Sequence, residues 1–482
     1  MDAKLVLFYY TFLGFGYICP ECEYRQRFKN YSQTPVKMAI TRFAKSTLNI
    51  IVVLCFLTTS CKEQVKQDDK LLSISLYPNI EKADLIPVSM FSDNIEYIIL
   101  DTKQDCLIGN LPHVRMYKDT LIVTSNQSET NGHCFIFDKN GRFISSISRQ
   151  GKGDGEYRHV NEYRFNYYTG LLYFEGWNPQ EYLKYTIDGK YAGRTKLNIP
   201  EQSAINVNGG PFSSITTTSL EFLSNDNIAI YHPVVAFGTE TRTTMMSFIS
   251  ENDTTSAITI TNPEMALLKP FALNDLQRVT IHNSSMESNW GIAGRDGGIY
   301  AETKEHSYTS FKGANCFWKY NNQTYFKECF NDTAYHVQYG KLTPRFYFDM
   351  GSYHWPYDKM FLSKTRASTS AYITWVTETD KVVLFQYFHD DKVFNGIYNK
   401  ANGKVSTAPI QDGIIDDINN FMPVNIHSVT PDGNIIAILQ PFDILSWFEE
   451  NKEKSAKLPQ HLKELRNISE NANPVIAIIR QK

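Results

Sequence analysis

The sequence predicts an all-β protein, a six-bladed β-propeller, and three observations lead to that fold. From residue 95 onward, short apolar or alternating runs of about five residues, the usual strand length, follow one another. Turn residues that tolerate positive φ separate them, as in Asp138-Lys-Asn-Gly141 and Asp188-Gly189. A frame of aromatic, turn, glycine, basic and aromatic residues recurs around Gly141 and Gly189, which are 48 residues apart. The runs include Leu121–Ser125, Cys134–Asp138, Phe143–Ile147, Leu171–Glu175 and Ile435–Leu439.

A repeat of about 40 to 50 residues with several strands per unit is typical of propeller blades, which bury their sheet faces by stacking around an axis. No long helical periodicity lies between the runs, which argues against a parallel α/β sheet. Residues 263–312 are predicted to be an insertion, with a helical pattern in Pro263 to Leu276. The six predicted units span about 110–150, 160–200, 216–262, 314–350, 370–408 and 424–480.

A closed ring requires the two ends of the chain to share a blade, because closure removes a free sheet edge. We therefore expect Ile95–Leu100 to pair beside the strands of the last unit, which ends with Val475–Ile479. A short helical insertion is predicted inside this unit. Its first helix has Asp443 as the expected N-cap, and Pro459 separates it from a second helix that ends near Ile468.

The N-terminal part of the chain has the order of basic, apolar and small residues that is typical of an export signal. Arg42 and Lys45 precede the apolar stretch Leu48–Leu57, and Cys61 follows three small residues. The ending Leu-Thr-Thr-Ser-Cys resembles a bacterial lipoprotein box, with Leu57 one position further upstream than usual, so Cys61 is the predicted lipidation site. The predicted division is 1–37, a mis-assigned start or upstream extension; 38–60, lipoprotein signal peptide; 61–94, tether and lead-in; and 95–482, propeller.

Three segments resemble the six-bladed, NHL-like β-propeller lipoproteins of Bacteroidota. They are Ile147-Ser-Arg-Gln-Gly-Lys-Gly-Asp-Gly-Glu-Tyr157, where Asp154 replaces the customary proline, Phe326-Lys-Glu-Cys-Phe-Asn-Asp-Thr-Ala-Tyr335 and Ile468-Ser-Glu-Asn-Ala-Asn-Pro-Val-Ile476. With the signal, the resemblance covers nearly all of residues 38–482. It implies a propeller on an envelope lipoprotein and no agreed activity.

The sequence assigns no catalytic residue, metal site or cofactor. A formal charge of −3 without clustered Lys and Arg gives no reason to expect nucleic-acid binding. The glycines of 151–155 are interpreted as a tight connection capped by Glu156, because the helix, Lys and Ser or Thr of a phosphate loop are missing. No G-x-S-x-G or H-E-x-x-H motif occurs. The histidines expected near the channel are His113, His159, His232 and His427.

Two further features, a pair of cysteines and a run of aromatic residues, each allow a structural and a functional interpretation. Cys316 and Cys329 flank a predicted hairpin; a turn at Asn321-Asn322 places them two residues out of register, whereas a turn at Asn322-Gln323 places them opposite each other. Two buried thiols are favoured over a disulfide. The aromatic run from Phe346 to Tyr357 is favoured as core between blades over a platform for sugars.

The sequence therefore favours an exported, cell-envelope binding module, anchored to the membrane at Cys61 and facing the periplasm or the cell surface. Its ligand is an unidentified glycan, peptide or protein. The alternative is an envelope hydrolase or lyase with its site at the mouth of the channel. Three or more His, Asp, Glu or Arg side chains meeting in the channel would favour the enzyme.

Overall fold

The computed structural model describes residues 71–480 apart from 110–111, 127–131, 159, 161–162, 179, 201–218, 233–242, 254–256, 268–277, 283–297, 303–306, 312–315, 360–368 and 391. The predicted signal segment, Cys61, His159 and residues 1–37 lie outside this part of the chain. Within it, 28 strands form seven sheets, and six of the sheets stack as the blades of a propeller. The predicted fold class is confirmed.

Each blade is an antiparallel sheet of four strands that follow one another in space, from the innermost to the outermost. Blade 1 contains β3 (His113–Tyr117), β4 (Thr120–Asn126), β5 (Gly132–Asp138) and β6 (Phe143–Ile147). Blade 2 contains β7 (Arg164–Asn166), β8 (Leu171–Glu175), β9 (Glu181–Thr186) and β10 (Tyr191–Lys196). Blade 3 contains β11 (Ser219–Phe222), β12 (Asn227–Tyr231), β13 (Thr244–Ser250) and β14 (Ile258–Thr261).

The remaining blades follow the same pattern. Blade 4 contains β18 (Phe317–Tyr320), β19 (Gln323–Phe326), β20 (Thr333–Gln338) and β21 (Lys341–Asp349). Blade 5 contains β22 (Ala371–Glu378), β23 (Val382–His389), β24 (Lys392–Asn399) and β25 (Val405–Pro409). Blade 6 contains β26 (Ile426–Val429), β27 (Ile435–Leu439), β28 (Val475–Arg480) and β2 (Asn94–Ile99).

Blade 6 closes the ring in the predicted way, since its outer strand β2 comes from the N-terminal side of the propeller. β2 pairs antiparallel with β28, with Tyr97 opposite Ala477 and Ile98 opposite Ile476. Blade 6 also binds blade 1, because the Val114 N–H donates to Nε2 of His427 at 2.8 Å. The first and last strands of the ring are therefore joined by backbone pairing and not only by side-chain contacts.

The segment before β2 is bound to the outside of the ring. β1 (Leu72–Ser75) pairs parallel with β21, so that blade 4 has a fifth, outermost strand. The chain then runs along blade 5, where the Tyr387 hydroxyl donates to the Ile80 carbonyl at 2.9 Å. This part of the predicted lead-in covers the edges of two blades, which leaves fewer exposed strand edges.

The predicted insertion contains the seventh sheet, an antiparallel arrangement of β15 (Arg278–His282), β16 (Gly298–Glu302) and β17 (Ser307–Phe311). It is not a blade of the ring, because blade 3 packs directly on blade 4. The rings of Tyr231 and Phe326 from these blades are 4.9 Å apart. The helical expectation at Pro263 is met only by a single 3-10 turn, Pro263–Leu267, and residues 268–277 lie outside the described residues.

The helical insertion of blade 6 follows β27 and contains α1 (Pro441–Glu450), α2 (Lys452–Ser455), α3 (Gln460–Lys463) and a final 3-10 turn. Ile444 and Phe448 are buried on one face of α1, as their spacing predicts. The expected cap is wrong: α1 begins after Gln440 with Pro441 in its first turn, which places Asp443 inside the helix. Proline suits this position because the first turn does not need its N–H.

The two faces of the propeller differ in the kind of connection they have. In each blade, one hairpin turn joins the first and second strands and another joins the third and fourth strands. These turns lie on one side of the propeller, which we term the turn face. They include the predicted turns around Gly141, Gly189, Gly403 and Gly433, all with positive φ. The other side, the loop face, has the connections between blades and between the second and third strands of each blade, including the helices.

Closure of the ring can be tested with Ile98 and Ile476, which are paired across β2 and β28 and are both buried. We expect Ile98→Ala and Ile476→Ala each to lower the free energy of unfolding by about 2–5 kcal/mol. Because the two side chains touch the same core, the double variant should depart from additivity by about 0.5–3 kcal/mol. The control Ile144→Ala, at an exposed position of blade 1, should change it by less than about 0.5 kcal/mol. Strict additivity in urea unfolding would contradict the pairing.

Candidate functional site

The candidate site is the polar centre of the channel, which the innermost strands of the blades surround. These strands lie closest to one another around the axis, with β26 beside β3, β7 beside β11 and β18 beside β22. They are short, with three to five residues in blades 1 to 4 and in blade 6. Their polar side chains meet in what we term the channel cluster: His113, Arg115, Tyr163, Tyr167, Glu221, Lys319 and His427.

Arg115 reaches across the channel from β3 of blade 1. Its guanidinium lies over the ring of Tyr163 from blade 2, with 5.5 Å between Cζ and the ring centroid. The hydroxyl of Tyr167 and the carboxylate of Glu221 also face it. Glu221 belongs to blade 3, two blades away from Arg115, so this electrostatic interaction extends across the centre of the ring.

Glu221 already has a cationic partner, Lys319 of blade 4. Their Nζ and Oε1 atoms are 3.0 Å apart, and both side chains are largely buried. The same ammonium donates to the Phe222 carbonyl at 2.6 Å and to Oγ1 of Thr324 at 2.8 Å. Lys319 is therefore fully used in joining blades 3 and 4, and the Glu221 charge is balanced before Arg115 is considered.

Arg115 is the cation of the cluster that has no acid of its own. Its Nε atom is buried without a hydrogen-bond partner, and none of its nitrogens lies within ion-pair distance of a carboxylate in the part of the chain that the structure describes. Burial disfavours its charged form, but Tyr163, Tyr167 and Glu221 outweigh burial and raise the pKa of Arg115. The guanidinium thus stays charged, with Tyr167 as a hydrogen-bond partner, and its buried Nε remains a donor that a further group could use.

Tyr163 adds a neutral donor beside this guanidinium. Burial raises the pKa of its phenol, against the opposing effect of Arg115, so that the hydroxyl keeps its proton. In the described structure this buried hydroxyl has no hydrogen-bond partner. Arg115 and Tyr163 together offer N–H and O–H donors that can bind one anionic group.

Two of the four histidines expected near the channel belong to the cluster. The rings of His113 and His427 are 5.5 Å apart, and His113 also meets the edge of Tyr163. His232 is elsewhere, buried in blade 3 with Ser247 at 2.8 Å. His427 accepts the Val114 N–H through Nε2, so that this nitrogen is not available as a base.

A second buried polar group lies on the loop face between blades 3 and 4. The Glu328 carboxyl accepts hydrogen bonds from Tyr231 at 2.9 Å and Tyr357 at 3.0 Å, both at Oε1. Burial raises the pKa of Glu328, although both hydrogen bonds oppose the rise. The neighbouring Lys327 is also buried, which lowers its pKa, and it donates to two backbone carbonyls. This set has a structural role in joining two blades.

The structural interpretations of the remaining motifs are confirmed. Cys316 and Cys329 are buried thiols that form no disulfide: Tyr320 pairs with Gln323, so the turn is at Asn321-Asn322 and the two cysteines are out of register. Glu156 accepts the Gly153 N–H at 2.6 Å and so caps the glycine-rich connection. The aromatic run from Phe346 to Tyr357 contributes mainly to the core, since Phe346, Phe348, Trp355 and Tyr357 are buried.

The described residues lack two other kinds of feature. They contain no group of three His, Cys, Asp or Glu side chains placed to hold a metal ion. None of their helices has the length and apolar character that crossing a membrane requires.

The family follows from a comparison with known sequence families. The model of DUF4934, a domain of unknown function, matches residues 71–480. The chain belongs to the DUF4934 family. The match begins at the residue before β1 and ends with β28, so that the family domain coincides with the described propeller. No curated protein matches the chain.

The fold of this DUF4934 protein is similar to that of a solved structure. A Bacteroides fragilis protein described as a "Putative exported protein" is similar over 86% of this chain and all of its own length, with a TM-score of 0.56 and 16% identity. A member of the DUF4221 family from Bacteroides vulgatus is 9% identical, with a TM-score of 0.40, and covers 81% of this chain and all of its own.

Sequence reasoning found the two histidines of the channel cluster and missed Arg115, Tyr163, Tyr167, Glu221 and Lys319. The innermost strands that position them are too short and too polar to stand out as apolar runs. Alternation of polar and apolar residues in His113–Tyr117 was the available signal, because Val114 and Met116 are buried while the residues between them are not.

The buried carboxyl of Glu328 should make stability depend on pH. Because the pKa of Glu328 is raised in the folded state, the folded protein keeps a proton that the unfolded chain has already lost. The free energy of unfolding therefore decreases as the pH rises from the pKa of this carboxyl in the unfolded chain to its pKa in the folded protein. Glu328→Gln removes that penalty. We expect the unfolding free energy of the variant, relative to the original protein, to increase between pH 4 and pH 8 in urea titrations. A difference that is constant over this range would contradict the raised pKa.

Proposed function

We propose that this DUF4934 protein is an exported, membrane-anchored binding module whose propeller channel binds an anionic group of its ligand. The ligand belongs to the class of glycans, peptides or proteins. The observation that supports this function is the Arg115 guanidinium, which lies in the channel without a carboxylate partner. Charge-assisted hydrogen bonds from an arginine to a carboxylate, sulfate or phosphate are among the stronger contacts that a protein offers.

Export and anchoring rest on the sequence. The basic, apolar and small residues of 38–60 have the order of a secretory signal, and Cys61 follows them as in a lipoprotein box. The description of the similar Bacteroides fragilis protein as exported supports the same location. Lipid chains at Cys61 would attach the propeller to a membrane of the cell envelope, which fits the NHL-like lipoproteins that the sequence resembles.

An envelope hydrolase or lyase is the second candidate, because Arg115, Glu221 and two histidines do meet in the channel. Their chemistry favours binding. Glu221 is held by Lys319, and Nε2 of His427 is occupied by a backbone N–H. A general base must reach its proton within hydrogen-bonding distance, and these two groups are already engaged.

The role of Arg115 can be tested by ligand-induced thermal shift with acidic and neutral oligosaccharides and peptides. A ligand at a hundred times its Kd should stabilise the protein by about 2.7 kcal/mol. We expect Arg115→Met to weaken binding of the anionic ligand about tenfold to a hundredfold, as loss of a charged hydrogen bond does. The ligand-free variant should keep its stability within about 1 kcal/mol, since no ion pair is broken.

The matched control is Arg142→Met, which removes a guanidinium that is exposed on the turn face. It should leave both binding and stability unchanged. If the original protein chemically converted a tested ligand, and if both Arg115→Met and Glu221→Gln lost this turnover, the protein would be an enzyme instead. The channel site would be refuted if Arg115→Met bound both acidic and neutral ligands as tightly as the original protein does.

The anchor has its own test in cells that export the protein. We expect Cys61→Ala to abolish incorporation of labelled fatty acid and to move the protein from the membrane to the soluble fraction, because no acyl chain can then be attached. Cys55→Ala, which removes a cysteine inside the apolar stretch, is the control and should leave both properties intact. Membrane association that persists in Cys61→Ala would contradict lipidation at this residue.

A further inference from the structure

The loop face of blade 2 presents an exposed tryptophan in a fixed position. Trp177 lies in the connection between β8 and β9, with 47% of its surface exposed. Its indole N–H donates to the Gly151 carbonyl in the glycine-rich connection between blades 1 and 2. A large exposed aromatic side chain that is held by a hydrogen bond has already lost the freedom that binding would otherwise remove.

Both connections that meet at Trp177 are themselves well ordered by backbone hydrogen bonds. The Gly151 N–H donates to the Tyr157 carbonyl at 3.1 Å, and the Gly176 N–H donates to the Glu181 carbonyl at 2.8 Å. A third bond, from the Arg158 N–H to the Glu175 carbonyl at 2.8 Å, joins the two connections. These three backbone hydrogen bonds hold the loop around Trp177 without any contribution from the indole.

Two cations lie at the indole. Nζ of Lys152 is 4.9 Å from the ring centroid and Cζ of Arg158 is 5.7 Å from it, and both side chains are exposed. No carboxylate lies within ion-pair distance of either cation among the residues described around this loop. The nearby acids have other partners: Asp154 and Glu181 pair with Arg194.

Glu156, the remaining acid of the connection, accepts the Gly153 N–H. The indole is thus left with two positive charges that the protein does not balance. An anionic partner would be attracted to this place, and it would gain apolar contact with the indole as well.

We propose that Trp177, Lys152 and Arg158 form a binding site for an acidic saccharide, one with a carboxylate or sulfate on a pyranose ring. The C–H face of the sugar packs on the indole, and the acidic group pairs with the two cations. Lys152 has a long, exposed side chain, so it can move from the ring face to the ligand while remaining beside the indole.

Other anionic partners fit this place less well. An acidic peptide would use the cations but has no flat apolar face to match the indole. A lipid surface would have to reach the loop face, whereas β1, which runs parallel to β21, enters the propeller at the turn face. The site is also separate from the channel cluster, with which it shares no residue, and so it does not depend on the function proposed above.

The test is an array of uronate-bearing and sulfated oligosaccharides, each with its neutral counterpart, such as galacturonate oligomers and their methyl esters. We expect the purified protein to bind acidic members at least tenfold more tightly than their neutral counterparts. Trp177→Ala, and separately the pair Lys152→Gln with Arg158→Gln, should each weaken that binding at least tenfold. Binding should also quench tryptophan fluorescence, and added salt should weaken it.

Phe442→Ala removes another exposed aromatic side chain, on α1, and should leave binding unchanged. Arg142→Met, which removes an exposed guanidinium on the turn face, should also leave it unchanged. Trp177→Phe keeps an aromatic ring, and so it shows whether loss of binding in Trp177→Ala follows from loss of the aromatic surface. Thermal unfolding of each variant shows that the variant is folded. The proposal is overturned if no acidic saccharide binds, if binding survives Trp177→Ala, or if only acidic peptides or anionic vesicles bind.

Discussion

The pairing of β2 with β28 is the interaction on which the rest of the structure depends. It joins residues that are nearly 400 positions apart in the chain, with Ile95 opposite Ile479 and Ile98 opposite Ile476. Without it, blade 6 would have only the three strands β26, β27 and β28. The hydrogen bond from Val114 to His427 crosses that junction. The channel cluster exists only while the ring is closed, because its members come from five different blades.

Two of the junctions between blades contain buried ion pairs, an arrangement that differs from the surroundings of Arg115. Glu378, buried at the junction of blades 4 and 5, binds both Arg345 and Lys400 at distances of 2.8 Å and 2.7 Å. At the junction of blades 2 and 3, Lys184 pairs with Glu251 at 2.8 Å. Buried charges of this kind are tolerated because their partners compensate for lost hydration. The Arg115 guanidinium instead has phenols beside it and a buried Nε without a hydrogen-bond partner, and the proposed binding function rests on this difference.

The sequence was informative where burial on both sides of a strand leaves long apolar runs. The middle strands of the blades, such as Leu171–Glu175 and Ile435–Leu439, were predicted at their observed bounds, and glycines with positive φ marked the turns. Outside blade 5, the innermost strands gave no such signal, because they have only three to five residues and contribute polar side chains to the channel. Arg115, Glu221 and Lys319 are close in space through tertiary contacts alone, so spacing along the chain contains no information about them. Asp443 was misplaced for a local reason, since Pro441 begins the helix two residues earlier.

The two faces of the ring have different kinds of connection, and the proposed Trp177 site lies on the loop face. Turn-face hairpins are short, and several have a glycine or asparagine at positive φ, such as Gly141 and Asn321. Loop-face connections vary more in length, from the two residues between β23 and β24 to the helices between β27 and β28. His113 and Tyr163 lie where β3 and β7 begin, at the loop-face end of the channel, and Trp177 lies on the same face. A ligand that approaches this face could reach the indole and the guanidinium from one side. The hairpins and the closed ring would keep both sites fixed while the connections around them vary.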